Sequence, residues 1–387
     1  MQILRNKDLY QKTVEMVNNM GSFAGIDFLC RIVTKPITFP GYLLIAAINF
    51  SSVCTVYSTY FFRDNFTDLA YCLTTLGIII MVLMKVISIF TTHNYAHDII
   101  KEVNAIIDRL EGDHEKSSKI QKGLQAFQLT FNMVKVSYFA AGLGMILFAL
   151  MNFAFKKERV LITGFIVPFL SHEETPGYQI NLLLQAVEDM IAVIFLITYD
   201  SFYIGHMFIA CTHKLTMTHF CKDFDKLLNE NDELVNAEDA VKCLKALLLE
   251  HQSHLRLMRN ISDMVNTSNV VHFLSNMCVV ILSIVVLVKI LWIPGVALLG
   301  VTVGNLFLYS AIGTLYSVCA EIFQAEVYNC KWYVFPPKIQ KALGFVLAMS
   351  QRPVQPSVGG YAPLDLRTFL KCLKTIYTIT MMLLNAE

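Results

Sequence analysis

The stretch Leu366–Leu383, LRTFLKCLKTIYTITMML, lies near the end of the sequence and is long and apolar enough for a membrane-spanning helix. Six positions near it fall on one helix face at alternating steps of four and three residues: Arg367, Lys371, Lys374, Thr378, Met381 and Asn385. A polar face on an otherwise apolar helix indicates contact with water, as in a pore lining. The alternative is that the cations extend to the membrane interface, which suits Arg367 better than Lys374.

The bulk composition is that of a membrane protein. Of the 387 residues, 55% are hydrophobic and 16% are charged, against about 25% charged residues in a soluble domain. The mean hydropathy is +0.53. The net charge of +1 gives no support for a nucleic-acid partner.

Seven apolar windows are long enough to cross a bilayer as helices. They cover residues 37–62, 69–92, 128–153, 182–209, 268–292, 294–319 and 363–385. The fifth and sixth windows are separated by WIPG at 292–295, which predicts a tight turn. We therefore expect an all-α protein with seven transmembrane helices. In segments 93–127 and 210–267, apolar residues recur at helical spacing, which predicts that the helices continue beyond the bilayer.

The distribution of basic residues predicts the orientation. The N-terminal segment and loops 93–127, 210–267 and 320–362 together carry 21 Lys and Arg residues, whereas the loops on the opposite side carry 4. This asymmetry places the N-terminus in the cytosol and the C-terminus outside. That topology is the reverse of a G-protein-coupled receptor. The sequon at Asn65 then falls outside, which makes Asn65 a candidate glycosylation site; its closeness to the membrane leaves its occupancy open.

Motifs for catalysis and metal binding are absent from the sequence. His93 and His97 have the spacing of a helical zinc pair, but no third ligand follows at a useful distance. The sequence contains no P-loop and no GxSxG motif. We therefore expect that the protein is not an enzyme and that it binds neither a metal nor a cofactor. Glu188 and Asp189 are adjacent acids within the fourth span, which makes them functional candidates without an assigned role.

The outer halves of spans two, three, four and six combine aromatic, methionine and hydroxyl side chains, a mixture that suits a cavity for a small lipophilic molecule. The candidate ligand-binding residues are Tyr71, Thr74, Thr75, Ile78, Met145, Phe148, Asn152, Val187, Ile191, Phe195, Thr302, Leu306 and Tyr309. The alternative is an ordinary core. Small residues, including Gly142 and the GxxxG of Gly300 and Gly304, either mediate helix contacts or leave room for a ligand.

Two segments near the C-terminus resemble the signature of insect odorant receptors. The segment AEVYNCKWY (Ala325–Tyr333) contains the Cys-x-Trp pattern, and AMSQRPVQPSVGGYAPLDLRTFLKCLKTIYTITMML begins at Ala348. The matching positions are Cys330, Trp332, Ser350–Pro353, Gly359–Leu364, Thr368, Phe369, Lys374, Tyr377 and Thr378. Met349 and Asp365 depart from the pattern. The rest of the chain matches only in layout, and Ile376 and Leu383 stand where the gustatory branch has other residues, which favours the odorant branch.

The resemblance implies an odorant-gated, non-selective cation channel that assembles with a shared co-receptor as a heterotetramer in the lipid bilayer. It implies the plasma membrane, in the dendrite of an olfactory neuron, as the location. Residues 1–319 would form the ligand-binding region, 320–362 a cytosolic anchor and 363–387 a pore-lining helix. The expected anchor contacts between subunits are Tyr328, Cys330, Trp332, Gln351 and Pro353. A small volatile molecule would be the ligand.

Two hypotheses follow, one about gating and one about assembly. Ligand binding shifts helices five and six, and helix seven follows and widens a narrow apolar point near Met381 and Leu384. A homotetramer would place twelve cations on the conduction path, so we expect the cationic face to disfavour a homomer. The alternatives are a receptor that signals through a cytosolic transducer, a gustatory-type channel and a transporter.

Overall fold

The structure is a computed structural model that describes residues 5–26, 39–171, 174–229, 234–289 and 293–386. Most of it is helical. The helices are α1 (Asn6–Phe23), α2 (Phe39–Phe61), α3 (Phe66–Leu110), α4 (His114–Met151), α5 (Gly177–Asp225), α6 (Ala237–Lys289), α7 (Ile293–Asn329), α8 (Pro337–Ser350) and α9 (Leu366–Ala386). Between α8 and α9, the two-residue strands β1 (Ser357–Val358) and β2 (Ala362–Pro363) pair antiparallel.

Seven of these helices have the length of a membrane span. In the described chain, α2 to α7 are long and apolar enough to cross a bilayer. Helix α9 has 21 residues, which corresponds to about 31 Å. It is less apolar because of its cations. The predicted first span starts at residue 37 and the predicted turn starts at Trp292, and both positions lie outside the described residues.

Several helices continue well beyond their apolar stretches, as the sequence predicts. Helices α3, α5 and α6 contain 45, 49 and 53 residues. Their continuations, with the start of α4 and the end of α7, meet at one end of the bundle. This end is here called the extended end, and its described residues are 93–127, 210–229, 234–267 and 320–362. Helix α3 leaves helical geometry once, at Thr92, with φ −121° and ψ 16°. The Asp113 carboxylate caps α4 by accepting from the backbone N–H groups of Glu115 and Lys116.

Helix α5 is the centre of the fold. Every residue from Ile197 to Met207 is buried, because α1, α3, α4, α6 and α7 all pack around this part of the helix. A helix that is surrounded on all sides must satisfy its polar side chains internally. His206 does so through α1, since its Nε2 atom lies 2.9 Å from the hydroxyl oxygen of the buried Tyr10.

Helix α9 packs against α6 and α7 with one face only. Gly313 of α7 permits the close approach of the chain before α9, because a Cβ atom at that position would lie 1.7 Å from the carbonyl oxygen of Leu364. Phe369 and Ile376 are buried, and the Phe369 ring meets Phe307 edge-on with centroids 5.7 Å apart. The opposite face of α9, which includes the cations, is not covered by any described residue of the chain.

Candidate functional site

A cavity of about 160 Å³ lies between α2, α3, α4, α5, α6 and α7. A cavity of about 150 Å³ is large enough for a ligand the size of benzene. Most of the lining is apolar, with contributions such as Leu44 and Ile48 from α2 and Val279 from α6. The sequence did not assign α2 to this wall, because its apolar run carries no signal that distinguishes a cavity face from a lipid face.

Seven of the thirteen predicted ligand-binding residues line this cavity: Tyr71, Thr74, Thr75, Ile78, Met145, Ile191 and Thr302. They come from four helices that are distant in sequence. The cavity brings these side chains together, but their part in ligand binding stays a prediction.

The other six candidates lie elsewhere. Phe148 packs on the neighbouring cluster around Met145, and Asn152 donates to the carbonyl oxygen of Phe148. Val187 is half-exposed on the outer surface of α5, because the cavity faces the adjacent stripe of that helix. Phe195, Leu306 and Tyr309 are fully buried in the core.

The segment 160–167 closes one end of the cavity, and it is here called the lid. Thr163 and Phe165 of the lid line the cavity. Gln185 of α5 accepts from the backbone N–H groups of Ile162 and Thr163 at 3.0 and 3.2 Å, and its Nε2 atom donates to the Phe165 carbonyl at 2.6 Å. These bonds satisfy backbone groups that would otherwise be buried without partners.

Other side chains, including those of Tyr71, Thr75 and Ser58, hold the same segment. The Tyr71 hydroxyl donates to the Ile162 carbonyl at 2.8 Å, and Thr75 accepts from the Gly164 N–H at 2.9 Å. The Ser58 hydroxyl accepts from the Ile166 N–H at 2.8 Å. Two residues predicted to touch ligand, Tyr71 and Thr75, therefore also fix the lid. The sequence shows this region only as a loop.

A buried ion pair lies beside the cavity. Lys85 Nζ of α3 donates to Asp200 Oδ1 of α5 at 2.5 Å, and both side chains are at most 2% exposed. The Tyr309 hydroxyl donates to Asp200 Oδ1 at 2.6 Å, and the Tyr138 hydroxyl donates to Oδ2 at 2.7 Å. Asn305 Nδ2 donates to Oδ2 at 3.0 Å and also contacts the Tyr138 hydroxyl. This group of five residues is here called the Asp200 cluster.

The Asp200 cluster and the cavity share two residues. Tyr138 of α4 and Asn305 of α7 line the cavity and also donate to Asp200. Any ligand in the cavity therefore lies against groups that position a buried charge. The sequence does contain a signal for this site, because Lys85 and Asp200 are ionisable residues inside spans two and four. Their pairing across 115 positions is not readable from one sequence.

The predicted pore-lining residues lie on the open side of α9. Arg367, Lys371 and Lys374 are exposed, and none of them forms an ion pair with another described residue. Thr378, Met381 and Asn385 are also exposed, and Leu384 is half-buried. A surface of this kind is available to a neighbouring subunit or to water. A single chain does not test the pore assignment.

The predicted anchor residues are divided between surface and interior. Tyr328 and Gln351 line one groove of about 330 Å³ between α7 and the end of α8. Trp332 is partly exposed, Pro353 is half-buried, and Cys330 is buried with its thiol donating to the Val327 carbonyl at 3.1 Å.

Gly300 and Gly304 face open surface, so their GxxxG makes no helix contact among the described residues. At Asn65, the side-chain amide caps α3 and donates to Asp68 Oδ2 at 2.7 Å.

A second charged network holds the extended end together. Arg109 Nε of α3 lies 2.6 Å from Glu250 Oε1 of α6, and His213 Nε2 of α5 lies 3.0 Å from Glu250 Oε2. Burial raises the pKa of the Glu250 carboxyl, but hydrogen bonds from His213 and Arg109 outweigh this effect and lower the pKa to about 2. This carboxylate therefore links three helices at the extended end.

Comparison with known proteins gives consistent results for sequence and fold. A profile of the 7tm Odorant receptor family matches residues 65–377. The putative odorant receptor 83c of Drosophila melanogaster is 23% identical over 243 residues, and the odorant receptor 30a of that species is 25% identical over 228 residues. These matches cover 59% and 58% of this chain. The chain spans 60% and 59% of the length of these two relatives.

Solved structures match over almost the whole chain. The olfactory receptor OR5 from Machilis hrabei in complex with eugenol has a TM-score of 0.80 at 12% identity, and 98% of each chain is covered. The structure of that receptor described without eugenol has a TM-score of 0.79 at 11% identity, also with 98% coverage. At this level of identity the likeness shows the fold, and it confirms the predicted all-α, seven-helix architecture.

We predict that Gln185→Leu destabilises the lid. The substitution keeps the side-chain size but leaves two backbone N–H groups and one carbonyl without partners, at about 1–3 kcal/mol each. Hydrogen–deuterium exchange of segment 160–167 should become faster, and the thermal unfolding midpoint should fall. Gln179→Leu, at an exposed position on the same helix, is the matched control and should change neither quantity. Unchanged exchange in Gln185→Leu would contradict the lid description.

We predict that Lys85→Met destabilises the protein strongly, because it leaves the Asp200 carboxylate buried without its counter-charge. The expected loss is roughly 3–5 kcal/mol. The double variant Lys85→Met with Asp200→Asn should recover part of this loss, since no buried charge remains. The measurement is the thermal midpoint of detergent-solubilised protein. If the effects of the two single variants simply add in the double variant, the ion pair is not a coupled unit.

The Glu250 site predicts a pH dependence of stability. Its pKa in the folded protein is about 2, below the ordinary value of 4.5, so its stabilising contribution is present above pH 4.5. That contribution is lost as the pH falls from 4.5 towards 2. The difference in thermal midpoint between wild type and Glu250→Gln should be largest near neutral pH and shrink on acidification. Glu111→Gln, at an exposed position, should show no such trend; a pH-independent Glu250 difference would refute the argument.

Proposed function

Because this chain belongs to the insect 7tm odorant receptor family, we propose that it is the ligand-tuning subunit of an odorant-gated, non-selective cation channel. The family and fold are those of a receptor rather than an enzyme. The observation that supports the proposal is a largely apolar cavity whose walls are connected to α9. A small volatile molecule is the ligand of that cavity.

Helices α6 and α7 provide the connection between cavity and pore helix. On α7, Thr302 and Asn305 line the cavity, while the neighbouring Val303 packs on the cluster that contains Ile376 of α9. On α6, Val279 lines the cavity, and Val280 belongs to that same cluster. A ligand that fits the open arrangement better shifts these two helices, and α9 moves with them.

The proposed pore face is the exposed side of α9. The constriction lies near Met381 and Leu384, where an apolar ring would close the path by excluding water. Four identical subunits would place twelve cations along this path, which opposes cation entry. We therefore propose assembly as a heterotetramer with co-receptor subunits. The groove between Tyr328 and Gln351 is an available contact for such a partner.

The proposed division of the chain follows from this assembly. Residues 1–319 bind the ligand, 320–362 anchor the subunits and 363–387 line the pore. The N-terminus lies in the cytosol and the C-terminus outside, in the plasma membrane of an olfactory neuron dendrite. The excess of Lys and Arg in the segments of the extended end supports this orientation.

The function is tested by whole-cell recording during application of a panel of volatile molecules, with and without an insect co-receptor. We expect fast currents only in co-expressing cells, with micromolar potency for ligands of about ten heavy atoms. The currents should persist when G proteins are blocked. Currents without a co-receptor would contradict the heteromer, and currents abolished by the block would indicate a transducer-coupled receptor.

We predict that Lys371→Gln combined with Lys374→Gln changes the conduction properties. Removing two cations from a water-filled path lowers the barrier for cations, so single-channel conductance should rise and block by divalent cations should become stronger. Lys135→Gln, a cation of α4 remote from α9, is the matched control. Unaltered conductance and ion selectivity in the double variant would exclude the pore assignment of this face.

A further inference from the structure

Two adjacent acids of α5 face the cavity without partners. Glu188 and Asp189 both line it. Glu188 Oε2 and Asp189 Oδ2 are buried, and neither has a hydrogen-bond partner among the described residues. This contrasts with Asp200, eleven residues further along the same helix, which accepts four hydrogen bonds at distances of 2.5–3.0 Å.

The described residues that line the cavity provide no counter-charge for these two carboxyl groups. No Lys, Arg or His is among the described residues that line the cavity. The cation of α3, Lys85, is already held by Asp200. A carboxylate in an apolar environment is costly unless it is paired and hydrogen-bonded. The described lining therefore lacks hydrogen-bond donors for these two oxygens, and a cationic donor would also stabilise the ionised form of the acids.

The position of Asp189 is defined by its packing on α4. A Cβ atom at Gly142 would lie 2.9 Å from Asp189 Oδ2, so glycine leaves the space that this carboxyl group occupies. Gly142 therefore permits the close packing of α4 on α5 at this point of the cavity wall. Across the cavity, Asn305 is 8% exposed, and its Oδ1 atom also has no partner among the described residues. The lid contributes a further unpartnered oxygen, Thr163 Oγ1.

We propose that the cavity binds a small lipophilic amine in its protonated form. The ammonium group donates to the carboxylates of Asp189 and Glu188, and the apolar body lies against Ile78, Met145 and Val279. An ammonium group supplies both the donors and the missing charge, whereas an alcohol of the same shape supplies one neutral donor. This inference rests on the proposed role of the cavity as the ligand site, and it specifies the chemical class of ligand.

The test compares amines with alcohols of the same carbon skeleton: phenethylamine with phenethyl alcohol, hexylamine with hexanol, and cyclohexylmethylamine with cyclohexylmethanol. Binding is measured by displacement of tritiated phenethylamine and tritiated phenethyl alcohol from membranes of cells that co-express this chain and a co-receptor. Membranes with the co-receptor alone provide the background. Whole-cell current is recorded with the same six compounds, so that binding and channel opening are read separately.

We expect the amine of at least one pair to bind about tenfold or more tightly than its alcohol, and no alcohol to bind more tightly than its amine. Asp189→Asn and Glu188→Gln should each reduce amine affinity by about tenfold while changing alcohol affinity by less than about threefold. Retained alcohol binding shows that these variants are folded. Glu158→Gln, an exposed acid between α4 and the lid, is the matched control and should change neither affinity.

Three results would overturn the inference. One is that no amine binds specifically at about 1 mM. Another is that alcohols bind as tightly as the amines or more tightly. The third is an amine preference that both acid variants leave unchanged. Currents evoked by alcohols but not by amines would keep the channel proposal and reject the amine. Specific amine binding that depends on Asp189, without current in any condition, would support the amine and contradict the channel.

Discussion

The bundle is organised around a charge that it buries. Asp200 lies on the most enclosed helix and receives hydrogen bonds from Lys85, Tyr138, Asn305 and Tyr309. These donors come from α3, α4 and α7, so one carboxylate fixes the relative position of four helices. Burying this carboxylate in a low-dielectric interior without these donors would cost free energy. Few other arrangements of the helices would supply the donors that the carboxylate needs. The shape of the neighbouring cavity follows from this constraint, because Tyr138 and Asn305 are part of its wall.

The cavity is thus bounded by two kinds of polar structure. In the Asp200 cluster the Asp200 carboxylate accepts four hydrogen bonds and links α4 and α7. The lid is held by side chains such as Gln185 and Tyr71, which satisfy its backbone. Most hydrogen-bonding groups of both structures are paired. Glu188 Oε2 and Asp189 Oδ2 have no hydrogen-bond partner among the described residues. A binding site is expected to retain such unsatisfied groups, since a ligand then provides what the protein lacks.

The sequence predicts the architecture far better than the site. Long apolar windows determine the spans, and the spacing of apolar residues such as Ile99, Val103 and Ile106 predicts the helical extensions that the structure shows. Single-sequence patterns identify a helix face but not what lies opposite it. The sequence therefore predicts all four of Thr74, Ile78, Phe195 and Tyr309 as ligand-binding residues. In the structure Thr74 and Ile78 line the cavity, whereas Phe195 and Tyr309 lie in the core. The pairing of Lys85 with Asp200 and the folding of the lid depend on contacts between distant segments, and no local pattern encodes them.

The residues of the Asp200 cluster lie far apart in the sequence, and this has a consequence for biosynthesis. Lys85 precedes Asp200 by 115 residues, and translation at about 5–20 residues per second needs roughly 6–23 s to cover that interval. During this time α3 exists with an ammonium group in an apolar segment and without its counter-charge, and Tyr309 and Asn305 are synthesised later still. An early span of this kind is poorly suited to free release into lipid. We expect α3 to stay beside the insertion machinery until α5 supplies the counter-charge, so that the order of synthesis is part of how this receptor reaches its native state.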